Sequence, residues 1–534
     1  MRTPGLPALP SLRRREDIPF PIVIGPSQDW DGRDGPWSSF ALQVGTPPQI
    51  VKALVGTGSN LQMVVLPEGC QAPEDSLTCP TLRGGEFFTN ESSTWENNTR
   101  YSTDSIYALG VESRLGFDGN GLYGFDTLTL DWQGSGKPTI YNQSIAAIAT
   151  KDFFLGVLGL NPRPTNFSDD FNNPVPSYLQ NLRSNNFIPS LSWSYTAGNQ
   201  YRSDQALGQL ILGGYDQSKF IHNDITFPFN ARDIVDLSVD IQEIQSSTTE
   251  KTEPLLPSKI NAYIDSSVSD IWLPIEACKL FEQEFGIVWN AELELYLVGQ
   301  TQRDNLLARN ASIIFTISHQ ETSQILNISL PYAAFDLRYN YPYGSNPLNY
   351  FPLKRAANNT QYTLGRTFFQ EAYVTADYER KTFSVSQCNW DSNRTSQIEA
   401  ILSPAYGSDN SHQSRHLSRG AIAGIAIGVV IVVSLAGIQG VITCKRRRKR
   451  LDPTANSDNR GMPKQAEINR WLAQARQAGV PDAPNGTEPS EITSPTTVSE
   501  DWVNPIALAQ SDAETDNIIP LHDFHLMRQT RAAM

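Results

Sequence analysis

The sequence predicts a mostly β protein of two lobes, followed by one transmembrane helix and a disordered tail. Short runs of alternating apolar and polar residues, such as 126–130 and 209–212, are bounded by turn residues and indicate strands. Residues 420–444 are uncharged and precede a cationic run at 445–450, which is typical of a membrane helix with a cytosolic basic flank. The chain has 534 residues, too many for one core, so we expect several modules.

The first motif lies in residues 44–65, which read VGTPPQIVKALVGTGSNLQMVV. A Gly-Thr-Pro-Pro-Gln turn precedes an apolar run that ends in Gly56-Thr57-Gly58-Ser59. This segment resembles the first active-site segment of the pepsin-like aspartic peptidases, in which an aspartate precedes the Thr-Gly-Ser turn. The spacing from Gln49 needs no gap, so Gly56 stands at the position where the resemblance places the first catalytic aspartate.

The second motif lies in residues 260–274, which read INAYIDSSVSDIWLP. It resembles the second active-site segment of the same family, in which a proline follows the catalytic aspartate by nine residues. Asp265 and Pro274 keep that spacing, and Ser266 is an accepted replacement for the usual threonine or serine. Ser267 replaces a glycine and Val268 replaces a hydroxyl residue. The resemblance therefore makes Asp265 the remaining catalytic carboxylate.

Four further fragments follow the order of the family. They are GVLGL at 156–160, LGGYD at 212–216, LGRTFF at 364–369 and YVTADY at 373–378. The resemblance implies a mostly β, two-lobed pepsin-like (acid protease) fold with a central cleft, of the type found in membrane-anchored surface proteins of filamentous fungi. The expected segments are an N-terminal extension (1–35), an N-terminal lobe (36–218), a C-terminal lobe (219–390), a stalk (391–419), a transmembrane helix (420–444) and a disordered cytosolic tail (445–534).

The missing aspartate has a direct chemical consequence. Peptide hydrolysis in this family uses two facing carboxyl groups that share one proton, because two like charges that close cannot both ionise cheaply. Glycine cannot hold or orient the attacking water, so the division into acid and base is lost. The active-site loops, which comprise Thr57, Gly58, Ser59, Ser266 and Ser267, are expected to keep their fold. Thr57 and Ser266 are expected to join the two loops by hydrogen bonds.

The tyrosine that this family carries on a flap over the cleft is not in its usual place. Counting back from residues 124–126 without a gap puts Arg114 at that position, and Tyr107 fills it only with an insertion. Both assignments stay open at the sequence level.

Three functions are compatible with these motifs. The leading hypothesis is a membrane-anchored pepsin-like protein whose peptidase activity is lost or severely reduced, and whose cleft binds a peptide or protein. The alternative is an active aspartic endopeptidase with a substitute acid from the insert around Asp75, Glu86 or Glu91. The third is a non-enzymatic surface binding or sensor protein that signals through its tail.

The net charge and the expected membrane location limit which classes of molecule this protein binds. A net charge of −14 argues against nucleic acid as a partner. We expect a monomer without metal or cofactor, anchored by a single pass in the plasma membrane or secretory pathway with its two lobes extracellular or lumenal. Residues 1–24 lack the apolar core of a signal peptide, and we expect that a signal-bearing segment precedes Met1 in the full-length product.

The cysteines and glycosylation motifs agree with an oxidising compartment. The family often carries a short disulfide loop after the first motif, which implies a Cys70–Cys79 bond, and we expect a Cys278–Cys388 bond within the second lobe. Cys444 lies at the cytosolic membrane edge, either palmitoylated or unmodified. Eight N-x-Ser/Thr motifs precede the membrane segment and predict N-glycosylation, at Asn90, Asn97, Asn142, Asn166, Asn310, Asn327, Asn358 and Asn393.

Overall fold

The computed structural model of the chain describes residues 18–406, apart from residue 74 and the segments 169–172, 233–234, 319–323 and 341–345. All described residues belong to one compact unit, Met1–His412. The transmembrane prediction for 420–444 lies outside the described residues, as do residues 407–419 of the stalk, Cys444 and the cytosolic tail. Within the described residues, no helix is both long enough and apolar enough to cross a membrane.

Strands dominate the described part of the chain. In chain order they are β1 (Ile22–Ile24), β2 (Pro26–Asp31), β3 (Trp37–Val44), β4 (Gln49–Gly56), β5 (Gln62–Val65), β6 (Glu96–Asn97), β7 (Ile106–Ala108), β8 (Asn120–Leu130), β9 (Thr139–Ile148), β10 (Gly156–Gly159), β11 (Ser192–Asn199), β12 (Ala206–Leu212), β13 (Gly214–Asp216), β14 (Phe227–Pro228), β15 (Ser238–Ser247), β16 (Thr252–Pro254), β17 (Ile260–Ile264), β18 (Ile271–Pro274), β19 (Val288–Asn290), β20 (Leu295–Leu297), β21 (Ser312–Ser318), β22 (Ile325–Pro331), β23 (Leu337–Tyr339), β24 (Leu348–Phe351), β25 (Leu353–Ala356), β26 (Thr363–Leu364), β27 (Ala372–Asp377), β28 (Thr382–Gln387) and β29 (Ile398–Ala400).

Helices are short and connect the strands. The α-helices are α1 (Cys79–Leu82), α2 (Tyr178–Ser184), α3 (Ile275–Phe285) and α4 (Gln300–Arg309). The 3-10 helices are Pro67–Cys70, Thr89–Glu91, Ser113–Leu115, Gln217–Lys219, Tyr332–Phe335, Asn359–Gln361, Phe368–Gln370 and Pro404–Tyr406.

Each lobe is built on its own large sheet. The first lobe holds a sheet in the order β2-β3-β4-β10-β5-β9-β8-β6, with β7 paired to β8. The second lobe holds a sheet in the order β22-β21-β15-β17-β26-β18-β25, with β16 paired to β15, and a smaller sheet in the order β19-β20-β24-β23. The alternating runs at 126–130 and 209–212 lie in β8 and β12, which confirms the strand predictions.

A third sheet joins the two lobes. Its order is β1-β12-β11-β27-β28-β14, and its central antiparallel pair places Tyr195 of β11 opposite Val374 of β27. One cluster of buried apolar side chains runs through all three sheets, from Phe40 through Trp193 to Ile241. Burial of such side chains contributes about 1.5–3 kcal/mol each. The lobes are therefore held together by a shared core as well as by backbone pairing.

The body extends beyond the expected boundaries at both ends. Within the expected N-terminal extension, residues 22–31 contribute β1 and β2, which pair with β12 and β3, so these residues belong to the sheets. Likewise β29 lies within the expected stalk but pairs with β13. Short strands at the ends of a chain carry weak periodicity, and their partners lie far away in sequence.

Candidate functional site

Two loops, one from each lobe, meet at the floor of the cleft. In the first lobe β4 ends at Gly56, and β10 runs parallel to it with Gly159 beside Gly56. In the second lobe β17 ends at Ile264, and β26 runs parallel to it with Leu364 beside Ile264. The fragments at 156–160 and 364–369 therefore occupy equivalent places behind the loops of the two lobes.

Reciprocal hydrogen bonds join the loops. The backbone N–H of Thr57 donates to Ser266 Oγ at 3.2 Å, and the backbone N–H of Ser266 donates to Thr57 Oγ1 at 2.9 Å. Both residues are fully buried. Buried polar groups satisfied in this way fix the relative position of two segments. The structure thus forms the expected connection between the loops, which is a property of the fold rather than of catalysis.

Asp265 is fully buried between the two loops. Its Oδ1 accepts hydrogen bonds from Gly58 N at 2.8 Å, Ser267 N at 2.9 Å, Ser267 Oγ at 2.8 Å and Thr57 Oγ1 at 3.2 Å. Its Oδ2 receives no hydrogen bond from an N–H or hydroxyl group in the part of the chain that the structure describes. Asp265 Oδ1 therefore holds the two loops together. Asp265 Oδ2 has no donor of this kind.

The position of the missing aspartate has no space for a side chain. A Cβ built on Gly56 would lie 2.8 Å from Val157 Cγ1, 2.9 Å from Ser267 Oγ and 3.1 Å from Ser59 Cβ. Contacts below 3 Å require the neighbours to move. Ser267, which stands where the family has glycine, thus fills space beside Gly56, and the two departures from the motif fit each other.

Val268 adds a third departure in the same loop. Its side chain is almost completely buried, and it brings no hydroxyl to the floor of the cleft. Its carbonyl accepts a hydrogen bond from Arg366 N at 2.7 Å. The second loop is therefore well packed, although it lacks the polar group expected near the carboxylate.

The flap, defined here as residues 106–122, bridges the cleft. It contains β7, the 3-10 helix Ser113–Leu115 and the beginning of β8. Arg114 Nη1 donates to Thr360 O at 3.0 Å and to Thr363 Oγ1 at 2.9 Å, both in the second lobe. Gln361 Nε2 returns a hydrogen bond to Arg114 O at 2.7 Å, and the Arg114 guanidinium lies 5.0 Å from the ring centroid of Tyr263.

Tyr107, the other candidate for the flap position, is engaged within the first lobe. Its hydroxyl donates to Asn98 O at 3.0 Å, and its ring packs edge-on against Tyr123 and Phe167. Arg114, rather than Tyr107, is the residue of this pair that reaches across to the second lobe.

Glu112 is a site residue that the sequence analysis missed. It is buried at the base of the flap, and its carboxyl group lies within hydrogen-bonding reach of the Asp265 carboxyl group. Arg114 Nη2 lies 2.8 Å from Glu112 Oε2 as an ion pair. A signal was present in the sequence, because Glu112 lies only two residues before the position reached by the gapless count.

The environment of Glu112 favours its protonated form. Burial is the main cause, and the nearby Asp265 carboxylate adds to it, so that the pKa of Glu112 is raised well above its usual value of 4.5 despite the opposing charge of Arg114. Two carboxyl groups in contact commonly share one proton. The protonated Glu112 is thus suited to donate a hydrogen bond to the Asp265 carboxylate.

The three acids proposed from the sequence as substitutes are engaged elsewhere. Asp75 forms an ion pair with Lys151 Nζ at 2.6 Å. Glu91 is exposed at the end of its 3-10 helix, and Glu86 interacts electrostatically with Arg83 and Glu68. The structure brings Glu112 to Asp265 instead.

The cysteines follow the prediction only in part. The Cys70–Cys79 disulfide is present, with Cα atoms 5.6 Å apart. The expected Cys278–Cys388 bond is wrong, because both residues are buried free thiols. Cys278 contacts Leu273 O at 3.6 Å within the second lobe, whereas Cys388 lies 3.3 Å from Thr196 Oγ1 at the sheet that joins the lobes. Burial raises the pKa of Cys278 to about 12, so it is an inert core thiol.

The glycosylation motifs lie on the surface. Seven of the eight asparagines are exposed and Asn166 is half-buried. This accessibility is compatible with glycans, and glycosylation itself stays a prediction.

The floor of the cleft is closely packed around a single loop carboxylate. Asp265 is the only acidic residue in the loop segments 56–59 and 265–268, and the space beside Gly56 is filled. Tyr263 Oη is also buried near this floor without a hydrogen-bond partner among the described residues. A ligand that entered here would have to displace the flap before it reached Asp265.

Comparison with known proteins found several similar chains. Candidapepsin of Candida tropicalis is 22% identical over 391 residues, covering 73% of this chain and 86% of its own. Barrierpepsin of Saccharomyces cerevisiae is 24% identical over 396 residues, covering 67% of this chain and 61% of its own. Among solved structures, the aspartic proteinase from Irpex lacteus is similar with a TM-score of 0.47 and 17% identity, covering 70% of this chain and 99% of its own.

The match to a family model spans both lobes and both active-site loops. It covers residues 39–388, which is more than half of the chain, and the family is described as eukaryotic aspartyl protease. The mostly β pepsin-like architecture and the order of the two loop motifs agree with that match. The chain therefore belongs to the eukaryotic aspartyl protease family.

Proposed function

We propose that this chain is a non-hydrolytic member of its family, a pepsin-like protein whose cleft binds an extended peptide or protein segment without cleaving it. The observation that carries the proposal is the filled space at Gly56, where a Cβ would lie 2.9 Å from Ser267 Oγ. Hydrolysis by this family needs a second carboxyl group at that position to activate water. Because the space is filled, the site differs from a hydrolytic one in its shape as well as in the missing carboxyl group.

The location is part of the same proposal. Relatives of this chain include a protein named secreted aspartic protease 8 from Candida albicans. The exposed N-x-Ser/Thr asparagines and the Cys70–Cys79 disulfide suit an oxidising, extracellular or lumenal compartment. We place the two lobes there as a monomer, held to the membrane by residues 420–444 with the tail in the cytosol.

A second candidate function rests on Glu112. Its carboxyl group lies against Asp265, so the cleft does contain two carboxyl groups that share a proton. An endopeptidase that used Glu112 as its second acid would need the flap to stay closed while the substrate lay between the two groups. With the flap closed the two carboxyl groups lie within hydrogen-bonding reach of each other, so we expect too little room between them for a water and a scissile carbonyl, and binding is the preferred function.

One assay separates the two candidates. The purified full-length chain is incubated with an acid-denatured protein near pH 4, with and without pepstatin, beside the variants Asp265→Asn and Glu112→Gln. We expect the same product formation from all three proteins and no effect of pepstatin. Pepstatin-sensitive cleavage that both substitutions abolish would support the relocated carboxyl pair, and cleavage abolished by Asp265→Asn alone would contradict both accounts.

A further inference from the structure

The flap is attached to the opposite lobe through a small set of contacts. Arg114 donates to Thr360 O and Thr363 Oγ1, and it accepts from Gln361 Nε2. These bonds link a hairpin of the first lobe to β26 and the 3-10 helix Asn359–Gln361 of the second lobe. The contact closes the cleft directly above Asp265, which has no exposed surface.

The backbone of the flap is bent to deliver Glu112 to this place. Glu112 has φ +52° and ψ +26°, a left-handed conformation that is uncommon for residues other than glycine, asparagine and aspartate. Such conformations persist where surrounding contacts hold them, and they concentrate at clamps and switches. The contacts here are the Asp265 carboxyl group and the Arg114 guanidinium.

The floor beneath Glu112 holds two buried polar atoms that lack a hydrogen-bond partner among the described residues, one an acceptor and the other a hydroxyl. Asp265 Oδ2 and Tyr263 Oη are both buried and lack hydrogen-bond partners among the described residues. A Cβ placed on Gly58 would lie 2.6 Å from Asp265 Oδ2 and 2.5 Å from Tyr263 Oη, so both atoms line the same narrow space. A proton held by Glu112 provides a donor for that space.

Deprotonation of Glu112 would place a second carboxylate beside Asp265 in a buried space. Arg114 is the cation in direct contact with Glu112 and counters one of the two carboxylates. The other titratable groups near the pair, each from a different packed segment, are Tyr263, Asp236, Arg163 and Arg366. Asp236 adds negative charge toward Asp265 once it ionises, and burial raises its pKa to about 6.

We propose that Glu112 and Asp265 form a pH-sensitive latch, which holds the flap on the second lobe at acidic pH and releases it as the pH rises. In the closed state Glu112 keeps its proton and donates it in a hydrogen bond to the Asp265 carboxylate. On opening, Glu112 loses this proton to the solvent, and no other group changes its covalent state. The latch regulates access to the cleft and so rests on the proposed binding function.

The direction of the pH effect follows from the closed state. The pKa of Glu112 is raised in that state, whereas it returns toward its usual 4.5 when the flap opens and water reaches the group. Closure is therefore fully supported below the open-state pKa and is lost as the pH rises through the closed-state value. A cleft of this kind admits its peptide ligand more readily near neutral pH than in acid.

Hydrogen–deuterium exchange of the flap in the full-length chain tests the latch. Exchange in residues 106–122 is compared between the wild type and Glu112→Gln at the same pH. Because both proteins are at one pH, the intrinsic pH dependence of amide exchange cancels. Glutamine keeps a donor and carries no charge. We expect equal exchange at pH 4 and at least about tenfold faster exchange in the wild type at pH 7, the factor that corresponds to one pKa unit.

Two further variants complete the test. Asp118→Asn removes an exposed acid from the same flap and should match the wild type at both pH values. Asp265→Asn removes the other partner and should keep the flap protected at pH 7, which gives an independent result if Glu112→Gln does not fold. Equal wild-type and Glu112→Gln exchange at pH 7, or fast exchange of Glu112→Gln at pH 4, would overturn the latch. Neither result depends on hydrolysis, so the binding proposal is judged separately by the cleavage assay.

Discussion

Ser267 Oγ lies 2.9 Å from the point at which a side chain on residue 56 would begin. A side chain on residue 56, where the family motif has its first aspartate, would therefore compete with Ser267 for space. The same hydroxyl donates to Asp265 Oδ1 at 2.8 Å, which gives it a structural role in the present site. The loss of the aspartate and the gain of the serine are complementary changes.

Restoring the aspartate alone should destabilise the protein. Gly56→Asp forces a side chain against Ser267 Oγ and Val157 Cγ1, and overpacking of this kind costs about 1–3 kcal/mol. The free energy of unfolding, measured by urea denaturation, should fall by that amount. Gly299→Asp is the matched control, since a Cβ there meets nothing within 4 Å and aspartate suits the N-cap of α4. Equal stability of Gly56→Asp and wild type would show that the site has room.

Removal of the flap's cation should open the flap. Arg114→Ala loses two hydrogen bonds to the second lobe and leaves the buried Glu112 without its ion-pair partner, at a cost of about 1–3 kcal/mol. Limited digestion with chymotrypsin should then cut near Tyr107 or Phe117 faster than in the wild type. Arg100→Ala, a change at an exposed arginine before the flap, should leave the digestion rate unchanged. Identical rates for Arg114→Ala and wild type would contradict the bridging role.

Stability should be greatest in mild acid and should fall as the pH rises. Burial raises the pKa of both Asp236 and Asp270 to about 6, from 3.8 in the unfolded chain. A raised folded-state pKa contributes stability below the unfolded value, and this contribution is lost as the pH passes about 6. Between pH 5 and pH 8 only the last pKa unit of this range is crossed, which corresponds to about 1 kcal/mol for each group. Urea denaturation at pH 5 and pH 8 measures the difference, and greater stability at pH 8 would contradict this assignment.

Cysteine mapping checks the corrected disulfide pattern. Under non-reducing conditions a peptide containing linked Cys70 and Cys79 should be recovered, while Cys278 and Cys388 should react with iodoacetamide only after unfolding. The buried positions of the two thiols account for the slow reaction. A peptide that links Cys278 to Cys388 would contradict the assignment of both residues as free thiols.

The sequence predicted most of the fold because its motifs are local. The turn at 45–49, the loop at Thr57–Ser59 and the threading segment at 156–160 each carry their signal in consecutive residues. The expected strands in β8 and β12 showed clear alternation. Family membership and the two-lobed architecture followed from the order of these fragments.

What the sequence could not predict depends on contacts between distant residues. Glu112 and Asp265 are 153 positions apart by their numbers, and only the closed flap brings their carboxyl groups together. The predicted Cys278–Cys388 bond was also wrong because it depends on a long-range distance. Pairing the remaining cysteines by sequence gives no information about that distance. Likewise, the fit between Ser267 and Gly56 requires the position of a side chain from the other lobe.

We propose that the chain does not hydrolyse peptides because a carboxyl group is missing and its space is filled. The most direct measurement is pepstatin-sensitive cleavage of an acid-denatured protein by the wild type, Gly56→Asp and the double variant Gly56→Asp/Ser267→Gly. We expect no cleavage by the wild type, little by the single variant and measurable cleavage by the double variant, which supplies the carboxylate and removes the serine. Wild-type cleavage equal to that of the double variant, and abolished by Asp265→Asn, would contradict the account.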